Sequence, residues 1–320
     1  MDLRELDELI EDFVLVNYST EVARKNVKYY MIWFKRFLIE YKKDFKSLKP
    51  ADIIRFRRWI GEQIGRNGKP LSPKTIRQLL SFIKAFYDFL EGLNSGTLEY
   101  NNPFKDLPPL TRKKLAPRVK TEKVPREFSD EEIERIFQYL RERNRDVYLA
   151  CLIAYATGAR LQEVLNLKAE DVIVKNSTIL IIIRAGKGLR ERVSIVGVPA
   201  KNSKGEIMSE TLIKWNEEAK RVLLERVKKI KKGYLFGDES KRNRVRKNIQ
   251  QTLYRLSKRL GIDVHFHDFR SNWGAKALAA KVPLEYVSAQ LGHKYTSTTE
   301  RYYARVKDEY VIEFISELTT

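Results

Sequence analysis

Residues 157–167 read TGARLQEVLNL and mark the point where an apolar helical pattern that starts at Asp146 stops. Arg160 follows Gly158, and Glu163 comes three residues later, close enough on a helix to orient the guanidinium. An isolated Arg-x-x-Glu pair is usually a surface salt bridge. The stretch therefore gains a functional meaning only from the polar groups that accompany it elsewhere in the chain.

A second candidate group is the lysine in the turn AGKGL. The segments 177–184 (STILIIIR) and 191–198 (ERVSIVGV) predict two β-strands around this turn, which places Lys187 at its tip. A turn lysine is normally just solvated, and the flanking glycines can serve the turn geometry alone. Lys201 and Lys204, which follow the strands in a loop, remain alternatives.

Two histidines and a second arginine form the next candidates. In HFHDFRSNW, His267 and Arg270 stand three residues apart and so lie on one face of a predicted helix. An ordinary helix with a capping histidine would explain the same pattern. In LGHKYTSTTERYYARV, His293 comes directly after Gly292, which predicts a helix end.

The same terminal stretch carries Tyr302 and Tyr303 side by side. Ser297 and Glu300 form a capping box, so both tyrosines are predicted in the opening turns of one helix, about 100° apart. Only one of them can face a shared pocket. Helical periodicity does not decide which one.

Composition points to a polyanionic partner. The chain has 320 residues, with 62 Lys plus Arg against 42 Asp plus Glu and a formal charge of +20, which favours nucleic acid. No run approaches the ~20 apolar residues of a membrane-spanning helix, so no membrane partner is predicted. The N-terminus is acidic and amphipathic, unlike a signal peptide, which predicts a cytoplasmic protein. The single cysteine, Cys151, lies in an apolar run and is predicted to be core.

Proline usage predicts two domains. Five of the ten prolines fall between Ser95 and Phe128, which indicates an extended basic linker at 101–127. Residues 1–100 form an all-helical domain with four helical patterns. Residues 128–320 form a second domain of helices with one hairpin. The predicted fold class is therefore mainly α with a small antiparallel β element.

Basic residues outside the candidate site predict phosphate contacts. In the first domain the aromatic residues are predicted to form the core, and three cations fall away from the apolar stripe of one helix. The Arg-rich helix between Lys241 and Arg259 supplies a second set, for which a solvated face is the ordinary explanation. The predicted DNA-binding residues are Lys74, Arg77, Lys84, Arg242, Arg244, Arg246 and Lys247.

A metal site is the main alternative use of the histidines. His265, His267 and His293 are the only three in the chain, and such a set can bind zinc. No carboxylate is placed as an obvious fourth ligand, and the same region supplies two arginines that suit a phosphate. We therefore predict neither a metal nor a cofactor.

Taken together, these residues resemble the active-site set of the tyrosine recombinase (integrase) family. The matching boxes are TGARLQEVLNL, AGKGLRERV, HDFR and LGHKYTSTTERYY, in the order of the family and spread from Thr157 to Tyr303. The first domain resembles the core-binding domain of the family only in its helical character and position. The resemblance implies a two-domain clamp that binds double-stranded DNA.

The resemblance also implies residue roles. Family members place the nucleophile nine residues after the terminal-box histidine, which here is Tyr302, and Tyr303 is then a neighbour. In these roles, Arg160 and Arg270 clamp the scissile phosphate, and Glu163 supports Arg160. His293 donates a hydrogen bond to the phosphate. Lys187 protonates the departing 5′ oxygen, and His267 accepts a proton or contacts the phosphate.

The implied function is site-specific recombination through a 3′-phosphotyrosyl intermediate, without metal or ATP. The active form is expected to be a homo-oligomer, a tetramer on paired sites.

Phe269 and Ser271 depart from the usual residues of the HDFR box, and neither change removes a core chemical group. The apolar stripe of residues 307–320 can dock on its own domain or on a neighbouring protomer. A non-catalytic DNA-binding protein of the same fold and a type IB topoisomerase are the alternative functions.

Overall fold

The buried apolar side chains collect in two separate cores, one on each side of the proline-rich stretch. A computed structural model describes residues 2–65, 67–93, 100–117, 127–176, 178–184, 191–201, 205 and 207–293. The chain divides into two units, Met1–Thr121 and Glu122–Thr320. Within the described residues, no helix is both long and apolar enough to cross a bilayer.

In the described part of the first unit, three helices start at a side-chain cap, supplied by Asp2, Thr20 and Ser72. Its elements are α1 (Leu3–Asn17), α2 (Glu21–Glu40), α3 (Pro50–Glu62), α4 (Pro73–Gly92) and α5 (Pro109–Leu115). The Ser72 hydroxyl accepts a hydrogen bond from the Thr75 backbone, and Pro73 takes the first helical position of α4, where its missing N–H costs nothing. The four helices predicted in this half are confirmed.

Aromatic side chains fill the first core. Phe37 packs edge-on against Phe56, with ring centroids 5.1 Å apart, and Phe86 packs in the same way against Phe13 at 5.6 Å. The buried Tyr87 hydroxyl donates to the Phe45 carbonyl at 2.7 Å, so its polar group is satisfied. The prediction that the aromatics of this half form a core is confirmed.

The predicted linker differs from its expected extended form. Two of its first side chains, Phe104 and Leu107, are buried in the first core, as is Tyr100 directly before it. Residues 109–115 form α5, and Arg57 Nε donates to the Leu115 carbonyl at 3.1 Å. The extended conformation is therefore wrong for 109–115, because proline starts a helix there and the preceding apolar residues anchor the chain. Residues 118–126 lie outside the described residues, and the domain boundaries stay a prediction.

The second unit surrounds one helix that is apolar and buried on all sides after its first two residues. Its helices are α6 (Asp130–Arg143), α7 (Arg145–Thr157), α8 (Leu161–Leu165), α9 (Glu210–Ile230), α10 (Glu239–Leu260), α11 (Phe266–Ala279) and α12 (Leu284–Leu291). Every residue of α7 from Val147 to Thr157 is buried, Cys151 among them, and α6, α9, α10 and α11 pack around it. A helix that is apolar all round belongs at the centre of a unit.

A three-stranded antiparallel sheet of order β1-β2-β3 lies beside these helices. The strands are β1 (Val172–Lys175), β2 (Thr178–Ile183) and β3 (Arg192–Ile195). The two predicted strands are confirmed as β2 and β3, with Ile183 paired to Arg192. The third strand, β1, is not predicted from the sequence, because it has only four residues and three of them are exposed. Residues 185–190 lie outside the described residues.

An aromatic cluster fixes the position of α11. Phe137 is fully buried, and its ring centroid lies 4.8 Å from Trp215, 5.2 Å from Tyr155 and 5.7 Å from Phe269. Because Phe269 belongs to α11, the packing of α6 and α9 determines where the polar residues of α11 lie.

We expect Phe137→Ala to lower the free energy of unfolding by about 3–5 kcal/mol, because it removes the ring at the centre of this cluster and leaves a cavity. Urea unfolding followed by tryptophan fluorescence measures the change. Tyr254→Ala is the control, since Tyr254 is 65% exposed and should cost little. Equal losses in the two variants would contradict a central role for the cluster.

Candidate active site

Arg160 lies at the bend between α7 and α8, where two local features fix its backbone. Gly158 ends α7 with φ of 67°, and a Cβ there would lie 2.6 Å from Leu291 Cδ2, so glycine permits the close approach of α12. Arg160 is the N-cap of α8. Its backbone N–H donates to Glu163 Oε2 and its Nη1 donates to Glu163 Oε1, both at 2.8 Å. The contact expected between these two residues is present.

The carboxylate of Glu163 is shared between two arginines. Arg192, at the start of β3, donates to both of its oxygens, from Nη1 at 3.1 Å and from Nη2 at 2.8 Å. Burial by itself raises the pKa of Glu163, but the hydrogen bonds and charges of Arg192 and Arg160 outweigh it and lower the pKa from 4.5 to about 2. Glu163 therefore stays ionised at neutral pH.

Arg270 is a buried cation whose partners are mainly backbone groups. It is 3% exposed, and its guanidinium donates to the Gly158 carbonyl from Nη1 and to the Leu291 carbonyl from Nη2, both at 2.7 Å. These carbonyls stand at the C-terminal ends of α7 and α12, where helices carry partial negative charge. One guanidinium on α11 thus connects this helix to the C-terminal ends of α7 and α12.

His293 lies against that same guanidinium. Arg270 Nη2 stands 2.9 Å from His293 Nε2. Since a guanidinium can only donate, Nε2 is the acceptor and the ring proton sits on Nδ1. Burial first, and then nearby positive charge, above all that of Arg270, lower the pKa of His293 from 6.5 to about 4. The ring is therefore neutral at pH 7 and offers an N–H donor rather than a charge.

Four predicted site residues come together at the turn that follows α12. Arg160 Nη2 lies 3.5 Å from the Gly292 carbonyl, next to the carbonyl that Arg270 binds. His267 lies in the first turn of α11, one turn before Arg270, and is close enough to contribute to the lowered pKa of His293. Arg160, His267, Arg270 and His293 thus form one cluster, although 133 positions separate the first from the last.

The arrangement suits an oxyanion with spread charge. Backbone and carboxylate contacts hold the two planar guanidiniums, and the neutral imidazole lies against that of Arg270. Proteins stabilise a phosphoryl group during transfer with donors held in place in this way. Among the described residues, no three His, Cys, Asp or Glu side chains are grouped to hold a metal ion. Lys187, Tyr302, Tyr303 and Lys204 lie outside the described residues. Lys201 is exposed and pairs in an isolated bridge with Ile207.

The predicted DNA-contact residues of the first unit differ in their surroundings. Lys74 is exposed at the start of α4. Arg77 Nη2 donates to the Pro117 carbonyl at 2.9 Å, and Lys84 pairs with Asp88 at 2.6 Å. A DNA role for these residues stays a prediction.

The predicted contacts of the second unit all lie on α10. Arg242 stacks 4.0 Å from the ring centroid of Tyr234 and donates to the Gly237 carbonyl. Arg246 donates to Gln162 of α8, two residues from Arg160, which brings α10 beside the site. Arg244 and Lys247 are exposed. Their DNA role also stays a prediction.

Sequence reasoning missed Arg192 and Gln290, which both support the cluster. Along β3 the alternation is inverted: Arg192 and Ser194 point inward, while Val193 and Ile195 are more than half exposed. The signal that the sequence offers for Arg192 is its alternation with Ser194 as the polar positions of a short strand. The sequence does not say which face of the strand is covered.

Comparisons with known proteins place these features in a family. The model of the phage integrase family matches residues 126–309. The tyrosine recombinase XerA of Pyrococcus horikoshii is 25% identical, covering 98% of this chain and 96% of the relative. A XerC-like tyrosine recombinase of Caldanaerobacter subterraneus is 30% identical, covering 83% of this chain and 69% of the relative.

Solved structures show the same fold. A XerH site-specific recombinase in a post-cleavage complex with a palindromic difH substrate matches with a TM-score of 0.68 and 18% identity, covering 93% of this chain and 80% of that one. A lambda integrase tetramer bound to a Holliday junction matches with a TM-score of 0.56 and 15% identity, covering 91% of this chain and 78% of that one.

We expect one histidine of the three to titrate near pH 4, because His293 is buried among cations. Proton NMR of the imidazole C2–H signals measures this, and the His293→Asn variant identifies the signal by its loss. Arg160→Gln should raise the pKa of His293, since a neighbouring positive charge is removed. Titration of His293 near its ordinary value of 6.5 would contradict the geometry.

Proposed function

The chain belongs to the phage integrase family and is a tyrosine-type site-specific DNA recombinase, and we propose that it cleaves DNA through Tyr302. The observation that carries this proposal is the gathering of Arg160, Arg270 and His293 at one turn, nine residues before Tyr302. The spacing of nine residues between His293 and Tyr302 is the one that the family resemblance implies for the nucleophile, which supports Tyr302 over Tyr303.

In the proposed cleavage step, the phenolic oxygen of Tyr302 attacks the scissile phosphorus and the bond from phosphorus to the 5′ oxygen breaks. The pKa of a free tyrosine is near 10, so its proton must be accepted as attack proceeds, and His267 is the proposed acceptor. Lys187 delivers a proton to the departing 5′ oxygen. The products are a 3′-phosphotyrosyl link and a free 5′ hydroxyl.

Charge on the non-bridging oxygens is stabilised by the clamp. Arg160 and Arg270 neutralise it, and the neutral His293 donates a hydrogen bond from Nδ1. A bound phosphate offsets the surrounding cations, so it should raise the pKa of His293. The clamp needs little reorganisation, because Glu163 and the backbone carbonyls already hold both guanidiniums.

Rejoining reverses the same step. The 5′ hydroxyl of a second strand attacks the phosphotyrosyl bond and releases Tyr302. Because the covalent intermediate keeps the free energy of the broken phosphodiester, joining requires no ATP.

The protein binds DNA and acts as an oligomer, and we propose that the active form is a homo-tetramer on two paired sites. The similar lambda integrase, solved as a tetramer on a Holliday junction, supports this stoichiometry. The formal charge of +20 supports binding to the phosphate backbone. Nothing in the comparisons favours the two alternatives, a non-catalytic DNA-binding protein or a type IB topoisomerase.

The nucleophile is tested by covalent capture. Nicked duplexes of random sequence are incubated with the protein, and DNA that stays attached in SDS is recovered and sequenced, which also identifies the preferred site. We expect Tyr302→Phe to abolish the adduct, because its ring cannot form a phosphate ester. Tyr303→Phe is the matched control and should keep the adduct. An adduct that persists in Tyr302→Phe would refute the assignment.

The general acid is tested by changing the leaving group. Lys187→Ala should slow cleavage of the captured site by about 100- to 10,000-fold. Replacing the bridging 5′ oxygen with sulfur should restore the rate, because a thiolate leaves without a proton. Lys201→Ala is the control and should cleave both substrates normally. Absence of rescue in Lys187→Ala, or rescue in Lys201→Ala, would move the role to another residue.

A further inference from the structure

Arg192 connects three elements next to the cluster. Its side chain is 12% exposed, and two of its N–H groups hold the two oxygens of Glu163 in a bidentate pair. A third, on Nε, donates to the Gln290 carbonyl at 2.9 Å. One guanidinium therefore connects β3, α8 and the last turn of α12.

The Gln290 side chain fixes the same junction from the other side. Its Nε2 donates to the Ile195 carbonyl at 3.0 Å and to the Thr157 carbonyl at 3.3 Å, and its Oε1 accepts from the Ile195 N–H at 3.2 Å. The end of α12 is thus bonded to β3 and to the end of α7. The turn that carries His293 has little freedom to move against β3.

Gly292 shows how closely Arg192 packs against that turn. With φ of 65°, Gly292 adopts the left-handed conformation, and a Cβ on it would lie 2.7 Å from Arg192 Nη1. The guanidinium therefore lies directly against the residue that precedes His293. Any displacement of Arg192 changes the surroundings of both Glu163 and this turn.

We propose that Arg192 is a positioning residue for strand cleavage, which orients Arg160 through Glu163 and His293 through the turn at Gln290 to Gly292. This inference rests on the proposed function. Arg192 acts through its neighbours, since it is mostly buried and at least three of its five N–H groups bind protein atoms. Lysine cannot replace it, because one ammonium group cannot span two carboxylate oxygens and a carbonyl in this geometry.

The chain offers a matched control in α9. Arg226 is also 12% exposed, and it binds one carboxylate, Asp146, at 2.6 Å and one backbone carbonyl, that of Leu235, at 2.9 Å. It has the same burial and the same kinds of partner as Arg192 but makes no contact with the cluster. Arg192→Lys and Arg226→Lys should therefore cost similar stability and differ only in catalysis.

The test measures single-turnover cleavage of the captured duplex, affinity for that duplex and thermal unfolding in full-length variants. We expect Arg192→Lys to slow cleavage by about 100-fold, as for a small misplacement of reacting groups, with affinity changed by less than about 3-fold. Arg226→Lys should cleave at the wild-type rate. Equal cleavage rates in the two variants, with wild type active, would overturn the proposal.

A double-mutant cycle covers the case in which Arg192→Lys is less stable than its control. If Arg192 acts partly through Glu163, adding Arg192→Lys to Glu163→Gln should slow cleavage by less than about 100-fold, because the path to Arg160 is already broken and only the path through the turn remains. Independent, multiplying losses would overturn the proposal. Absence of any covalent adduct with wild-type protein would instead contradict the proposed function itself.

Discussion

The buried guanidinium of Arg270 is the constraint on which the rest of the catalytic unit depends. An ionised group that is 3% exposed must find partners inside the protein, and here these are the last carbonyls of two helices and an imidazole nitrogen. The apolar α7 and the aromatic cluster around Phe137 hold α11 at the position where Arg270 reaches these partners. Core packing and site geometry are therefore parts of one arrangement, because moving any of the three helices would cost this buried charge one of its partners.

Glu163 supplies the negative charge that complements the arginines of the site. It is the carboxylate that balances two of the three arginines around the turn at Gly292, and its low pKa keeps that negative charge in place. The site keeps an excess of positive charge, which adds to the effect of burial in keeping His293 neutral. Glu163 therefore explains how the free protein tolerates several cations in one place.

The sequence predicted the parts of the molecule whose signals are local. Arg160, His267, Arg270 and His293 could be found because few residue types suit phosphate chemistry and their boxes stand at helix ends. The helices of both units could be found from apolar periodicity and caps such as Ser72 and Ser129. The missed parts depend on tertiary packing. Burial of Tyr100 and Phe104 requires a finished core to receive them, and the inward direction of Arg192 depends on which face of β3 the helices cover.

The anchoring of Arg270 has a consequence for how the chain tolerates substitution. Its two strongest acceptors are main-chain carbonyls, those of Gly158 and Leu291, which no change of side chain can delete. Selection or design can therefore vary the side chains around the guanidinium without losing those acceptors. Substitutions are harmful instead at Gly158 and Gly292, whose left-handed backbone lets α7 and α12 end where they do. A recombinase engineer has more freedom in the residues that line this site than in the turns that close it.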